Sequence, residues 1–200
     1  MLTLYRASTP AAALVLAHGA GAGQTSPFMV RVSKGLADRG ISTATFDFPY
    51  MIAKRNMPDK PPVLEDSWRQ AIDAARKAFG PLALFIGGKS MGGRIATHVA
   101  SQGYDGLSGI VLLGYPLHPP GRPQQRRDAH LPAIAEPMLF VQGSRDTFGT
   151  GADIAALLPS LKNATLHEVT GGDHSFKASG KKDTLEPIMD TVAEWIRTKS

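Results

Sequence analysis

The sequence predicts an α/β protein: a mainly parallel sheet of about six or seven strands with helices on both faces. Three observations predict it. Short apolar runs of four to eight residues recur along the chain. Amphipathic segments of helical period alternate with them, as right-handed crossovers between parallel strands require. The length, 200 residues, fits one domain, residues 1–200, with a full core.

Each element follows from its own stretch of chain. Residues 2–6 are a possible edge strand. Residues 13–17 form the first main strand and run into the glycine-rich "AHGAGAG". Residues 28–39 form a helix stopped by Gly40, and residues 41–48 the next strand. Residues 50–62 read as a long loop. Residues 63–79 place Trp68, Ala71, Ile72, Ala75 and Phe79 on one helical face, and Gly80-Pro81 ends it. The runs 82–86, 109–113, 138–141 and 164–169 supply further strands, most of them rich in Val, Ile, Leu and Phe, as strands buried on both faces are. Helices are expected over 90–101 and 152–158. A last one carries the stripe Leu185, Ile188, Met189, Val192, Trp195 and Ile196. Residues 116–132, "PLHPPGRPQQRRDAHLP", form a second long loop, a class of segment that is often functional.

Composition narrows the functions. A hydrophobic share of 42% and a charged share of 20% are ordinary for a soluble globular protein. The chain has no cysteine, which excludes disulfides, zinc-thiolate sites, iron–sulfur clusters and a cysteine nucleophile, and fits a reducing compartment. The net charge is +5. Its positive residues are scattered, with small clusters at Lys54-Arg55, Arg126-Arg127 and Lys181-Lys182 and no basic stripe interleaved with aromatics, so no nucleic acid is expected as partner. The opening residues loosely mimic a signal peptide. Their apolar run, 11–17, is only seven residues long and leads straight into a glycine loop, as a strand of the fold would. No stretch is long enough to span a membrane, and a cytoplasmic location is expected.

The stretch "FIGGKSMGGR", residues 85–94, carries the chemistry. Gly88-Lys89-Ser90 looks like the end of a phosphate-binding loop. That motif requires a glycine five residues before Gly88, where Ala83 stands inside an apolar run. Only Gly87 and Gly88 lie between the strand and Lys89-Ser90, too few to wrap a triphosphate. Gly88-Lys89-Ser90-Met91-Gly92 also spells Gly-x-Ser-x-Gly, a sharp strand-to-helix turn that presents a serine hydroxyl. The residues two before and two after the serine are expected to crowd each other, hence Gly88 and Gly92. An apolar strand precedes this turn and an amphipathic helix follows it, which favours the serine reading.

A nucleophilic serine needs a base and an orienting acid, which follow it in the order acid, then His. "QGSRDTFG" places Asp146 after one late strand, and "TGGDHSF" places His174 after the next. Asp173 adjoins His174, so its side chain diverges, and Asp153 falls in a helix. His98 falls within the helix after Ser90, His167 in a strand, and His130 beside the long loop. The oxyanion needs fixed donors. Met91 N–H, at the start of a helix, is one, and Ala20 N–H in the His-Gly loop is the other. His18, Lys89 and His118 are candidate substrate contacts. Lys89 and Arg94 flank the serine and would favour an anionic group, although Arg94 is expected to point along its helix into solvent or a salt bridge. No cofactor or metal is expected.

With these residues in view, the chain resembles the α/β-hydrolases over nearly all of its length. "GGKSMGGR", "GYPLHPPGRP", "FVQGSRDTFG" and "GGDHSF" are similar to a small family of bacterial hydrolase-like proteins and an animal testis-expressed protein. A related domain occurs in a subunit of an animal histone acetyltransferase complex, and dienelactone hydrolases are more distant. The resemblance implies Ser90, Asp146 and His174 as a triad and a serine hydrolase acting on a small acyl substrate. Its alternative is an interaction module with an idle triad, using "RPQQRRDAH" as contact surface. Only some eleven residues precede the first main strand, so the N-terminal hairpin is minimal. No lid domain fits, and an open, shallow site is expected. Substrate identity and oligomeric state stay open.

Overall fold

The computed structural model describes residues 1–180 and 183–200. The Lys181-Lys182 cluster lies outside the described residues. The strands are β1 (Thr3–Tyr5), β2 (Ala12–Ala17), β3 (Ile41–Phe46), β4 (Leu84–Lys89), β5 (Gly109–Leu113), β6 (Met138–Gly143) and β7 (Ala164–Val169). They form one sheet in the order β1-β3-β2-β4-β5-β6-β7. β1 runs antiparallel to β3, and every other neighbour is parallel. The helices are α1 (Pro27–Asp38), α2 (Pro49–Ile52), α3 (Pro61–Phe79), α4 (Met91–Ser101), α5 (Gly151–Leu157) and α6 (Leu185–Arg197).

Strand alternation divides the core into two layers, because successive side chains point to opposite faces. Ala13, Val15 and Ala17 face α3, α4 and α5, together with Trp68, Ile95 and Ile154. Leu14 and Leu16 face α1 and α6, together with Leu36, Ile188 and Ile196. Each buried Val, Leu or Ile contributes roughly 1.5–3 kcal/mol by leaving water, so the central strands hold the sheet without help from their turns.

β2 and β4 are neighbours, and the chain leaves them in opposite directions across the sheet. Their carboxyl ends therefore flank a topological switch point, where a crevice opens.

Three sequence expectations need correction. Residues 50–62 are not wholly loop: Pro49 and Pro61 each stand at the first turn of a helix, α2 and α3. Proline lacks only an N–H that has no partner there, and its fixed φ already suits the helix. β7 is not buried on both faces. It is an edge strand, with Thr165 and Glu168 exposed and only Val169 buried. Arg94 does not run out into solvent, as described below. Among the described residues, no inserted domain interrupts the alternation, and no helix is long and apolar enough to cross a membrane.

Candidate active site

Ser90 follows β4 directly and precedes α4, with φ 51° and ψ −116°. A non-glycine residue in that region is strained and is held there only by its surroundings. The surroundings are specific. Ser90 N–H donates to Leu113 O (3.0 Å), which extends the β4–β5 ladder through the turn. Trp68 Nε1–H donates to Gly92 O (3.1 Å) and ties the first turn of α4 to α3.

The glycines around Ser90 answer to a neighbour outside the turn. The nearest atoms to each of Gly88 and Gly92 belong to β2. A Cβ on either would fall inside the backbone of Ala17, at the end of β2, and on Gly92 it would also come within 2.7 Å of His18 O. The end of β2 presses on the turn from the side. Gly93 lies 2.7 Å from Gly88 O by the same measure, which lets α4 pack close to the strand.

The remaining polar groups reach the same point from the ends of β6 and β7. His174 Nε2 lies 2.9 Å from Ser90 Oγ. His174 Nδ1 donates to Asp146 Oδ2 (2.8 Å), since a carboxylate only accepts. In the neutral imidazole this makes Nε2 the acceptor that faces the hydroxyl. Asp146 is fully buried. Its oxygens also accept from Phe148 N–H (2.8 Å) and from Gln142 Nε2–H (3.0 Å), so the buried charge is solvated by protein donors. Gln142 is buried too, and its Oε1 accepts from Tyr115 N–H (2.8 Å). The Phe148 ring lies 4.2 Å from that of His174, which limits the imidazole on one side.

The loop of His174 is stapled by side chains. Asp173 does diverge from His174: its Oδ1 accepts from Ser175 N–H (2.8 Å) and Lys177 N–H (2.9 Å), closing the turn. Arg145 donates to Gly171 O (2.9 Å) and Ser144 Oγ accepts from Gly171 N–H (2.7 Å), joining the acid loop to the base loop. Lys89 supplies the third staple. Its ammonium donates to His174 O (2.5 Å) and stands over the Phe176 ring. Burial pushes its pKa down to about 8, against the pull of Asp146 and Asp173.

A cleft of about 1220 Å³ opens over Ser90, lined by Gly19, Ala20, Met91 and His174 among others. Its volume exceeds the roughly 300–1,000 Å³ usual for small-molecule pockets. Phe28, Met29, Phe176 and Leu185 line part of its wall, and Lys89, Arg94 and Arg127 another part. Met91 is the first residue of α4, where backbone N–H groups have no partner within the helix and the helix dipole favours negative charge. Ala20 lies in the loop after β2, on the other side of the switch point.

Two candidate contacts are displaced from the cleft. His18 is fully buried. Its Nδ1–H donates to Gly19 O (2.8 Å), its Nε2 accepts from Phe48 N–H (3.2 Å), and Phe48 and Tyr50 present ring edges to it. Asp47 Oδ1 stands 3.6 Å from Nε2, but burial lowers the His18 pKa and the imidazole stays neutral. It shapes the His-Gly loop from beneath. Asp47 helps from the side, accepting from Gln24 N–H (2.7 Å). His118 Nδ1–H donates to Pro119 O (2.9 Å), and the residue is not among those lining the cleft.

The other rivals have structural roles. Asp153 closes a capping box with Thr150 at the start of α5. His98 and His130 pack edge to face behind α4. Sequence reasoning missed Gln142 and Arg127. A lone polar residue closing an apolar strand, as in "MLFVQG", was the available signal for Gln142. Arg127 had none, because its place depends on how the long loop folds back. Among the described residues, no cluster of three or more His, Asp or Glu is placed to hold a metal ion.

A family model described as alpha/beta hydrolase domain matches residues 10–198. Solved structures share the fold at low identity. Est1E from Butyrivibrio proteoclasticus, solved with ferulic acid bound, superposes with a TM-score of 0.80 at 15% identity, over 100% of this chain and 94% of that one. A dienelactone hydrolase from Anabaena variabilis gives 0.76 at 20% identity, over 99% and 91%. A monoacylglycerol lipase from Paleococcus ferrophilus gives 0.76 at 17% identity, over the full length of both chains.

Proposed function

This chain belongs to the alpha/beta hydrolase domain family, and from that premise we propose that it is a serine hydrolase cleaving carboxylic esters. The observation that carries the reading is the unbroken chain Asp146–His174–Ser90, with links of 2.8 and 2.9 Å, ending on a strained serine at the floor of a cleft. Neighbours in fold named as a lipase and a dienelactone hydrolase agree with it.

The mechanism follows from the tautomer. Ser90 Oγ attacks the ester carbonyl while its proton passes to His174 Nε2. Asp146 holds Nδ1–H and stabilises the imidazolium that forms. The carbonyl oxygen becomes an oxyanion between Met91 N–H and Ala20 N–H, donors that need no rearrangement as charge develops. The tetrahedral centre collapses, the carbon–oxygen bond to the alcohol breaks, and His174 returns its proton to that oxygen. Water then enters, gives a proton to His174 and attacks the acyl-serine. The bond from the acyl carbon to Ser90 Oγ breaks, His174 returns its proton to Oγ, and the acid departs.

Intact-mass spectrometry after treatment with a small fluorophosphonate tests this reading. One adduct on the wild type and none on Ser90→Ala is expected. A wild type that stays unmodified beside a labelled control hydrolase would overturn it and move the interaction-module reading ahead.

A further inference from the structure

Arg94 and Arg127 are cations of the cleft that the chemistry above does not use. Arg94 lies in the first turn of α4, four residues beyond Ser90, and its N–H donates to Ser90 O (3.0 Å). Its side chain leans back toward the amino end of the helix, that is, toward Ser90. Arg127 arrives from the loop after β5. Its N–H donates to Leu117 O (2.9 Å) and its carbonyl accepts from the Tyr115 hydroxyl (2.6 Å), which fixes the loop against the cleft.

Neither guanidinium has an acidic partner within ion-pair distance among the described residues. The acids nearby are otherwise engaged: Asp128 with Arg126, Asp183 with Arg31, and Glu65 with His98. Arg94 is only partly exposed, and its Nε is buried without a hydrogen-bond partner. Its one described side-chain contact is Nη1–H donating to His98 Nε2 (3.3 Å), and His98 Nδ1–H in turn donates to Glu65 (3.1 Å). That relay holds the guanidinium from behind, with the Glu65 carboxylate one residue removed and no acid in direct contact. Burial pushes the Arg94 pKa down, and the charge of Arg127, which lines the same cleft, acts in the same direction.

Two cations, partly desolvated and facing the same cleft, are costly unless an anion completes them. Arginine's planar fork suits a carboxylate, which it can hold through two parallel hydrogen bonds. We propose that Arg94 and Arg127 form a carboxylate-binding subsite of the Ser90 cleft, and that the substrate is an ester bearing a second, free carboxylate roughly one helical turn from its scissile carbonyl. A half-ester of a short dicarboxylic acid meets that description. The substrate class rests on the serine-hydrolase reading, whereas the anion site does not. Hydrolysis breaks the same ester bond as before, adds water, and yields an alcohol and a dicarboxylate.

The test compares mono-4-nitrophenyl glutarate with 4-nitrophenyl pentanoate, similar in length and differing in the terminal charge. The wild type is expected to favour the charged ester in kcat/KM by about tenfold or more, with the ratio falling about tenfold in Arg94→Gln and in Arg127→Gln. Raising the salt should lower the ratio in the wild type itself, which keeps the test valid if a variant folds poorly. A fluorophosphonate-reactive wild type that hydrolyses both esters alike overturns the subsite and leaves the hydrolase. Calorimetric titration of Ser90→Ala with glutarate separates the other case. Binding that disappears on adding Arg94→Gln and Arg127→Gln supports the anion site even in a chain without esterase activity. Glutarate binding that ignores both arginines, or no binding, overturns it.

Discussion

The turn that carries Ser90 and the loop that carries His174 meet through two hydrogen bonds, from Ser90 and from Lys89, but are held by different means. Around Ser90 the restraint is steric and made by backbone: Gly88 and Gly92 lie where any side chain would strike Ala17. Around His174 backbone also presses, at Gly143 against Gly172 and Asp173, but most of the restraint is polar: Asp173, Lys89, Arg145 and Ser144 each hold one part of the loop. A steric restraint is all or none, since overpacking cannot be relieved without moving a strand. A set of hydrogen bonds can be loosened one member at a time, each worth about 1 kcal/mol. The nucleophile is therefore expected to tolerate no change nearby, and the base to tolerate graded change.

The largest expected effect tests the link between the two regions. Asp146→Asn keeps the shape of the acid but presents an amide to His174 Nδ1, so the imidazole takes the wrong tautomer. Ester kcat/KM should fall by about four orders of magnitude with the melting temperature little changed. A fall of only tenfold would mean that the chain of hydrogen bonds does not set the tautomer.

The next test addresses the steric side. Gly92→Ala drives a methyl group into Ala17 and His18 and should destabilise the fold by about 3 kcal/mol, measured by urea unfolding, with loss of fluorophosphonate labelling. A stable, labelled Gly92→Ala protein would erase the contrast between the regions.

The smallest effect sharpens the polar side. Lys89→Met removes a staple and also a buried charge. The Lys89 pKa is about 8 in the folded chain against an ordinary 10.5. The unfolded state thus binds more protons above pH 8, and wild-type stability rises with pH through that window. Relative to Lys89→Met, the wild type should gain up to about 3 kcal/mol between pH 8 and 10.5. Urea unfolding of both proteins at pH 7 and pH 10 measures this, and a difference that does not move with pH would place the ammonium in water. Activity toward 4-nitrophenyl esters should fall about tenfold as the His174 loop loosens.

The same contrast explains what could be read from the sequence. Ser90 and its glycines were legible because steric necessity leaves a local pattern. Asp146 and His174 were placed beside it because each follows an apolar strand in the right order. The central strands were legible from runs of Val, Ile, Leu and Phe. The edge strand β7 looked the same on paper, since coverage by a neighbouring element is not written in the strand itself. Pro61 was taken for a loop residue, although proline suits the first turn of a helix as well as a turn. His18 was misplaced because its partner, Phe48, lies on a distant strand end, whereas Gln142, Arg94 and Arg127 meet partners close in sequence, at Asp146, His98 and Leu117, whose directions depend on how the loops and α4 pack. A residue type shows what a side chain can bond, but only the packed chain shows which bond it makes.

His18 has one more consequence. Its Nδ1 proton is locked onto Gly19 O and its Nε2 lone pair onto Phe48 N–H, away from solvent. That makes it a built-in spectroscopic gauge. Its imidazole nitrogens should give a pair of magnetic resonance signals of the Nδ1–H form, in slow exchange and unmoved by pH through the neutral range. Because the ring grips the loop that bears Ala20, those signals will follow the geometry of that loop when a ligand enters, with no turnover needed to see it.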